Sequence, residues 1–126
     1  MIRRIRLMAD YQYFPLWEMD DVGDIDPNEL PLSEETITRL LKWQKIYDET
    51  MNWDAPSMSN FASKEDLIDF EIEGINLWNE LQKELGEDYQ IYYFSQLEGR
   101  LLSESNLLDK ISSDITITKR LMSIAI

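Results

Sequence analysis

Two strand-forming segments that bracket two amphipathic helical segments predict an α+β fold, with two central antiparallel helices packed on a small sheet of N-terminal and post-helical strands. Three observations carry this expectation. Residues 5–9, Ile-Arg-Leu-Met-Ala, are apolar around one arginine and run into the aromatic Tyr11-Gln12-Tyr13-Phe14. Residues 34–51 and 64–85 place apolar side chains at helical spacing. Residues 89–94, Tyr-Gln-Ile-Tyr-Tyr-Phe, are aromatic and β-branched apart from one glutamine.

The first strand is expected to run through the aromatics and to end or turn at Pro15. From Trp17 to Leu32 the chain shows no period and carries Gly23, Pro27 and Pro31, which predicts a long loop. Ser33 then has the form of a helix N-cap, and Glu34 and Glu35 follow where the helix dipole favours acids. Ile37, Leu40, Leu41, Tyr47 and Met51 form the expected apolar stripe, widened by Trp43 and Ile46. Residues 52–62 read as a second loop. Ser63-Lys64-Glu65-Asp66 resembles a capping box with Asp in place of Glu. Leu67, Phe70, Trp78, Leu81 and Leu85 are the expected buried face of the second helix, and Gly86 its C-cap. Gly74 inside that helix costs about 1 kcal/mol relative to alanine, which suggests a close helix–helix approach. Beyond Arg100, residues 101–111 suit a helix and residues 115–118, Ile-Thr-Ile-Thr, alternate as a strand does. The whole chain, 1–126, reads as one domain with its core in 1–100 and a C-terminal segment from 101 to 126.

Charge is the strongest compositional signal. Twelve Lys and Arg oppose 25 Asp and Glu, for a net charge of −13 over 126 residues. All the acids except Glu104, Asp109 and Asp114 lie between residues 7 and 99, where the only bases are Arg39, Lys42, Lys45, Lys64 and Lys83. Such a field repels nucleic acid and anionic membrane and accelerates encounter with cationic partners. Arg3, Arg4 and Arg6 are too few to reverse it and suit the blunting of an edge strand or pairing with acids. The chain has neither cysteine nor histidine. Disulfides, thiolate nucleophiles, Cys/His zinc sites and Ser-His-Asp catalysis are therefore excluded, and the usual general base near neutral pH is missing. The opening residues lack the long apolar core of a signal peptide, and apolar stretches are too short to span a bilayer. A cytoplasmic binding protein without a cofactor is the expectation, and no oligomeric state is implied.

The carboxylates admit three further readings. The loop Asp20-Asp21-Val22-Gly23-Asp24-Ile25-Asp26-Pro27 is rich in oxygen ligands, yet it lacks the order of an EF-hand, and Pro27 restricts how it wraps an ion. A metal-binding or accessory domain built on that loop is one alternative. A glycosidase pair drawn from Asp66, Asp69 and Glu73 fits a helix's solvent face better than a cleft. A DNA mimic needs acids spaced like phosphates on a surface. The aromatics separate into two groups. Trp43 and Trp78 sit in helical apolar stripes and belong to the core. Trp17 and Trp53 lie beside acids in expected loops, Trp17 near Glu18, Asp20 and Asp21, and Trp53 next to Asp54. Aromatic anchors among acids suit an interface with a basic protein. The candidate partner-binding residues are therefore Trp17, Asp20, Asp21, Asp24, Asp26, Trp53 and Asp54.

At Arg6-Leu7-Met8-Ala9-Asp10-Tyr11, followed by Pro15-Leu16-Trp17 and the acidic, glycine-containing loop, the chain resembles small acidic immunity proteins of bacterial polymorphic or contact-dependent growth-inhibition toxin systems. The resemblance spans roughly residues 5–95, and the tail after Arg100 adds nothing to it. It implies a protein that binds and neutralises one cognate toxin domain, often a nuclease, by covering its active site or substrate surface.

Overall fold

Five strands and two long helices follow one another in the order β-β-β-α-α-β-β. The structure, a computed structural model, describes residues 1–52, 60–104 and 106. The strands are β1 (Arg3–Leu7), β2 (Leu16–Glu18), β3 (Asp24–Ile25), β4 (Tyr89–Ser95) and β5 (Arg100–Leu102), and the helices are α1 (Glu34–Asp48) and α2 (Lys64–Leu85). One mixed sheet takes the order β3-β2-β1-β4-β5. β1 and β4 run parallel at its centre, with Ile5 opposite Ile91 and Leu7 opposite Tyr93, and the outer pairs are antiparallel. The two segments that flank the helices in sequence thus meet in the middle of the sheet. A parallel pair requires a long crossover, and here the hairpin strands and both helices supply it.

Period-two burial sorts the central strands. Ile5, Leu7, Ile91, Tyr93 and Ser95 are buried on one face, while Arg4, Arg6, Tyr92 and Phe94 alternate with them and are only half-buried. Over the buried face lies α2, through Phe70, Glu71, Gly74, Ile75, Leu77, Trp78, Leu81 and Leu85. In turn α1 packs on α2, with Leu40 and Trp43 in the core. Both core tryptophans satisfy their indole N–H groups. Trp43 donates to the Phe70 carbonyl at 2.9 Å and Trp78 to the Ile91 carbonyl at 2.8 Å. Each such bond averts a penalty of about 1–3 kcal/mol for a buried unpaired donor.

The helix starts follow the expected capping chemistry. Ser33 Oγ accepts from the Thr36 N–H at 3.2 Å, and Ser63 Oγ accepts from the Asp66 N–H at 3.1 Å. Gly86 has φ +77° and its N–H donates to the Gln82 carbonyl, closing α2 at a residue that tolerates left-handed backbone. The stripe on α1 differs from the expected one. Leu41 and Ile46 are 38% and 41% exposed, while Thr36 and Gln44 are buried. Gln44 earns its place by donating to the Asp10 carbonyl at 2.6 Å and accepting from the Asp10 N–H, which ties α1 to the chain leaving β1.

Gly74 marks a close approach of a different kind from the one expected. The neighbour is not another helix but the ring of Tyr93 on β4: a Cβ at position 74 would lie 2.8 Å from Tyr93 Cζ. This space lets the Tyr93 hydroxyl reach over α2 and donate to Glu71 at 2.7 Å, and the Ser95 hydroxyl donates to the other oxygen of Glu71 at 2.5 Å. Glu71 is 1% exposed, and these two donors replace the water it has lost.

Further expectations change or are narrowed. Tyr11–Phe14 do not extend β1: they form a turn, with Gln12 at φ +68°, held by the Tyr13 N–H on the Asp10 carbonyl. The expected loop from Trp17 to Leu32 contains the hairpin β2–β3 and a single 3-10 turn at Pro27–Glu29. Of the two roles expected for these arginines, Arg3 and Arg4 take the pairing with acids, with Glu18 and Asp20; β1 is a central strand and has no edge to blunt. Of the helix expected at 101–111, Leu101 and Leu102 belong to β5, Glu104 and Asn106 are helical, and residues 105 and 107–111, like the strand expected at 115–118, lie outside the described residues.

Candidate protein-binding surface

The β2–β3 hairpin carries five of the seven candidate residues. Trp17 is a strand residue, paired with Arg6 on one side and Asp24 on the other. Its indole N–H donates to the Met8 carbonyl at 2.9 Å, its ring meets Tyr13 at 5.2 Å between centroids, and the Arg6 guanidinium stands 5.7 Å from its ring centre. A ring held on three sides in this way is half-buried and already oriented, and a pre-ordered aromatic loses little entropy on binding. The Arg6 Nε atom is buried and has no hydrogen-bond partner among the described residues. The guanidinium gains a cation–π contact with the Trp17 face.

Each acid of the hairpin has a local task. Asp20 pairs with Arg4, and that guanidinium holds the Asp20 carboxyl below its ordinary pKa. The Asp21 carboxylate accepts from the Val22 N–H at 2.8 Å and shapes the tip, where Val22 is 91% exposed and Gly23 takes φ +104°. Across the hairpin, Asp24 accepts from the Phe14 N–H at 2.9 Å, joining the hairpin to the 11–14 turn. Asp26 caps the 3-10 turn. The Asn28 backbone N–H and side-chain amide both donate to it and hold its pKa below the carboxylate norm. Asp20, Asp21 and Asp24 remain exposed. The carboxylates therefore face water while their remaining lone pairs stabilise the hairpin, and they do not converge. Among the described residues no group of three or more acids stands close enough to hold a metal ion. Trp53 and Asp54 lie outside the described residues.

A second surface was not legible from the periodicity of either helix alone. The C-terminal end of α1 and the N-terminal part of α2 enclose a groove of about 490 Å³. Its apolar floor comes from Ile46, Phe61 and the edges of Trp43 and Phe70, and Glu49, Asp66, Asp69 and Glu73 stand around it. The floor is one ring system: Trp43 stacks on Phe70 at 4.4 Å and 9°, Phe61 meets Phe70 at 5.0 Å, and Tyr47 meets Phe61 at 6.3 Å. Tyr47 also stacks on Tyr11 at 4.5 Å, and the Tyr11 and Thr50 hydroxyls are 2.7 Å apart, so the groove wall is braced against the turn after β1. Burial, with Tyr11 and Asp10 nearby, pushes the Tyr47 phenol up to about 12. The acids Asp66, Asp69 and Glu73 are spaced along one helix face, which sequence does reveal; that Glu49 of α1 faces the same space is a tertiary fact.

No helix among the described residues is long and apolar enough to cross a membrane. No curated protein matches the chain. A family model, described as Serratia CdiI immunity protein-like, matches residues 3–96, which takes in β1 through β4, both helices, the hairpin and the groove. An acidic α+β chain that agrees with this model over most of its length belongs to the Serratia CdiI immunity protein-like family.

Proposed function

We propose that the chain binds a toxin domain and neutralises it by covering a basic surface, of the kind a nuclease presents to phosphate, without chemistry of its own. Membership of an immunity-protein family supports the toxin as partner. The observation that carries the choice of a basic surface is the imbalance of the exterior. The ion pairs among the described residues are Arg3–Glu18, Arg4–Asp20, Arg39–Glu73 and Arg100–Glu98, and over the whole chain 25 acids against 12 bases leave a net charge of −13. A field of this sign raises the rate of encounter with a cationic patch and competes there with nucleic acid. In this reading Trp17 and the hairpin acids Asp20, Asp21, Asp24 and Asp26 form part of the contact, the aromatic as anchor and the acids as its charged surround.

The test is capture from the native cell with the tagged chain as bait, a moderate salt wash and mass spectrometry. A basic toxin domain recovered in equal amount is the expected result, and recovery of no specific partner overturns the reading. With that domain in hand, Asp20→Lys with Asp21→Lys slows association. Unchanged association and affinity remove the hairpin from the interface.

A further inference from the structure

We propose that the groove between α1 and α2 receives one arginine or lysine side chain from a basic partner protein. This rests on the reading of the chain as a toxin-binding protein and names the side chain the partner supplies.

Two features of the groove select that chemistry. Its floor is apolar and accessible: Ile46 is 41% exposed, and Phe61 is half-buried beside it. A long aliphatic stem can lie there and shed water. Glu73 is held by Arg39 at 2.8 Å, but Glu49, Asp66 and Asp69 have no cationic partner among the described residues. An apolar occupant would strip water from three carboxylates and give nothing in exchange, which disfavours it. A cationic head at the end of an apolar stem satisfies both parts of the site at once. An arginine meets these demands better than a lysine, because its planar guanidinium takes two carboxylate oxygens together.

The groove is also prepared for its occupant. Phe70 and Trp43 are 3% and 1% exposed, with the Trp43 N–H already bonded to the Phe70 carbonyl, so the floor does not move to admit a guest. Asp66 lies in the first turn of α2, where the helix dipole already favours a carboxylate, so it stands ready without a counter-ion of its own. Buried aromatic pockets with a charged surround are the usual seats of the few residues that dominate a protein interface.

The test is a two-dimensional ¹H–¹⁵N titration of the folded chain with N-acetyl-arginine methylamide, alongside its uncharged citrulline counterpart. The expected result is saturable shifts clustered at residues 46–50 and 60–73, with none from citrulline. In Asp66→Asn with Asp69→Asn, apparent affinity falls at least about fivefold, as expected for lost charge-assisted bonds. Glu87→Gln with Asp88→Asn removes the same charge from the exposed α2–β4 turn and leaves the affinity within about twofold, since distant exposed charges are screened. Shifts that are absent from the groove overturn the proposal, as expected if it is filled from within the chain or by a second copy. Shifts spread evenly over the acidic surface, or weakened equally by both double variants, overturn it as well. The titration needs no toxin, so its failure leaves the immunity reading standing, and failure to capture a toxin leaves the titration result standing.

Discussion

Replacing Gly74 by alanine sets two physical effects against each other, and the structure says which prevails. Helix propensity alone favours alanine in the middle of α2 by about 1 kcal/mol. The new methyl group, however, falls 2.8 Å from Tyr93 Cζ and 2.9 Å from Cε1. Tyr93 cannot swing aside: it is fully buried, stacked on Trp78 at 5.6 Å and against Trp43 at 6.3 Å. Overpacking of this kind costs about 1–3 kcal/mol. Displacing the ring also breaks its bond to Glu71, and a buried carboxyl deprived of a donor costs about 1–3 kcal/mol more. Offsetting the propensity gain leaves a net loss of about 1–5 kcal/mol. Urea unfolding followed by far-UV circular dichroism measures it, and with a slope of about 1–2 kcal/mol per molar the midpoint falls by about 0.5 M or more. Asn79→Ala, on the exposed side of the same helix, is the control for propensity and leaves the midpoint unchanged or slightly raised. A Gly74→Ala protein as stable as the wild type refutes the account of why this helix contains a glycine.

Glu71→Ala leaves the Tyr93 and Ser95 hydroxyls without their acceptor and opens a void, so it destabilises by about 2–4 kcal/mol in the same urea assay. A loss below about 0.5 kcal/mol, the range of an ordinary surface change, contradicts the role given to that network. Glu84 supplies a pH dependence. Partial burial raises its pKa, but the Thr36 hydroxyl and the Ser33 N–H donate to it, outweigh burial and leave the net shift downward. A depressed carboxylate contributes stability that is present above its unfolded pKa and is lost as pH falls through the folded one. Thermal midpoints of wild type and Glu84→Gln therefore converge on acidification below pH 4.5, and a gap that stays constant between pH 6 and pH 3 argues against the linkage.

The readable parts of this fold are those where local chemistry and tertiary need agree. The bounds of α2 follow from a serine cap at 63 and a glycine at 86, and both act as their types suggest. β4 announces itself through aromatic and β-branched content over seven residues. β2 and β3 span three residues and two, too short for period-two alternation to show, so the hairpin hides inside an apparent loop. The aromatics 11–14 look like strand by composition, yet they serve a turn whose rings pack on α1 and on Trp17. Gly74 was visible as an anomaly, but its neighbour is fixed by how α2 packs back on β4, which no local signal encodes. The same holds for the candidate surfaces. Trp17 and the hairpin acids could be singled out by type, whereas their individual bonds, and the meeting of Glu49 with Asp66 and Asp69, depend on how distant segments come together.

The central claim is that this chain neutralises a toxin domain by binding it, and growth rescue tests it most directly. The captured partner domain is expressed alone and then together with this chain in the same cells. The account predicts arrest in the first case and restored growth in the second, with rescue weakened by charge reversal at the contact acids. A partner that does not arrest growth, or an arrest that co-expression does not relieve, contradicts it.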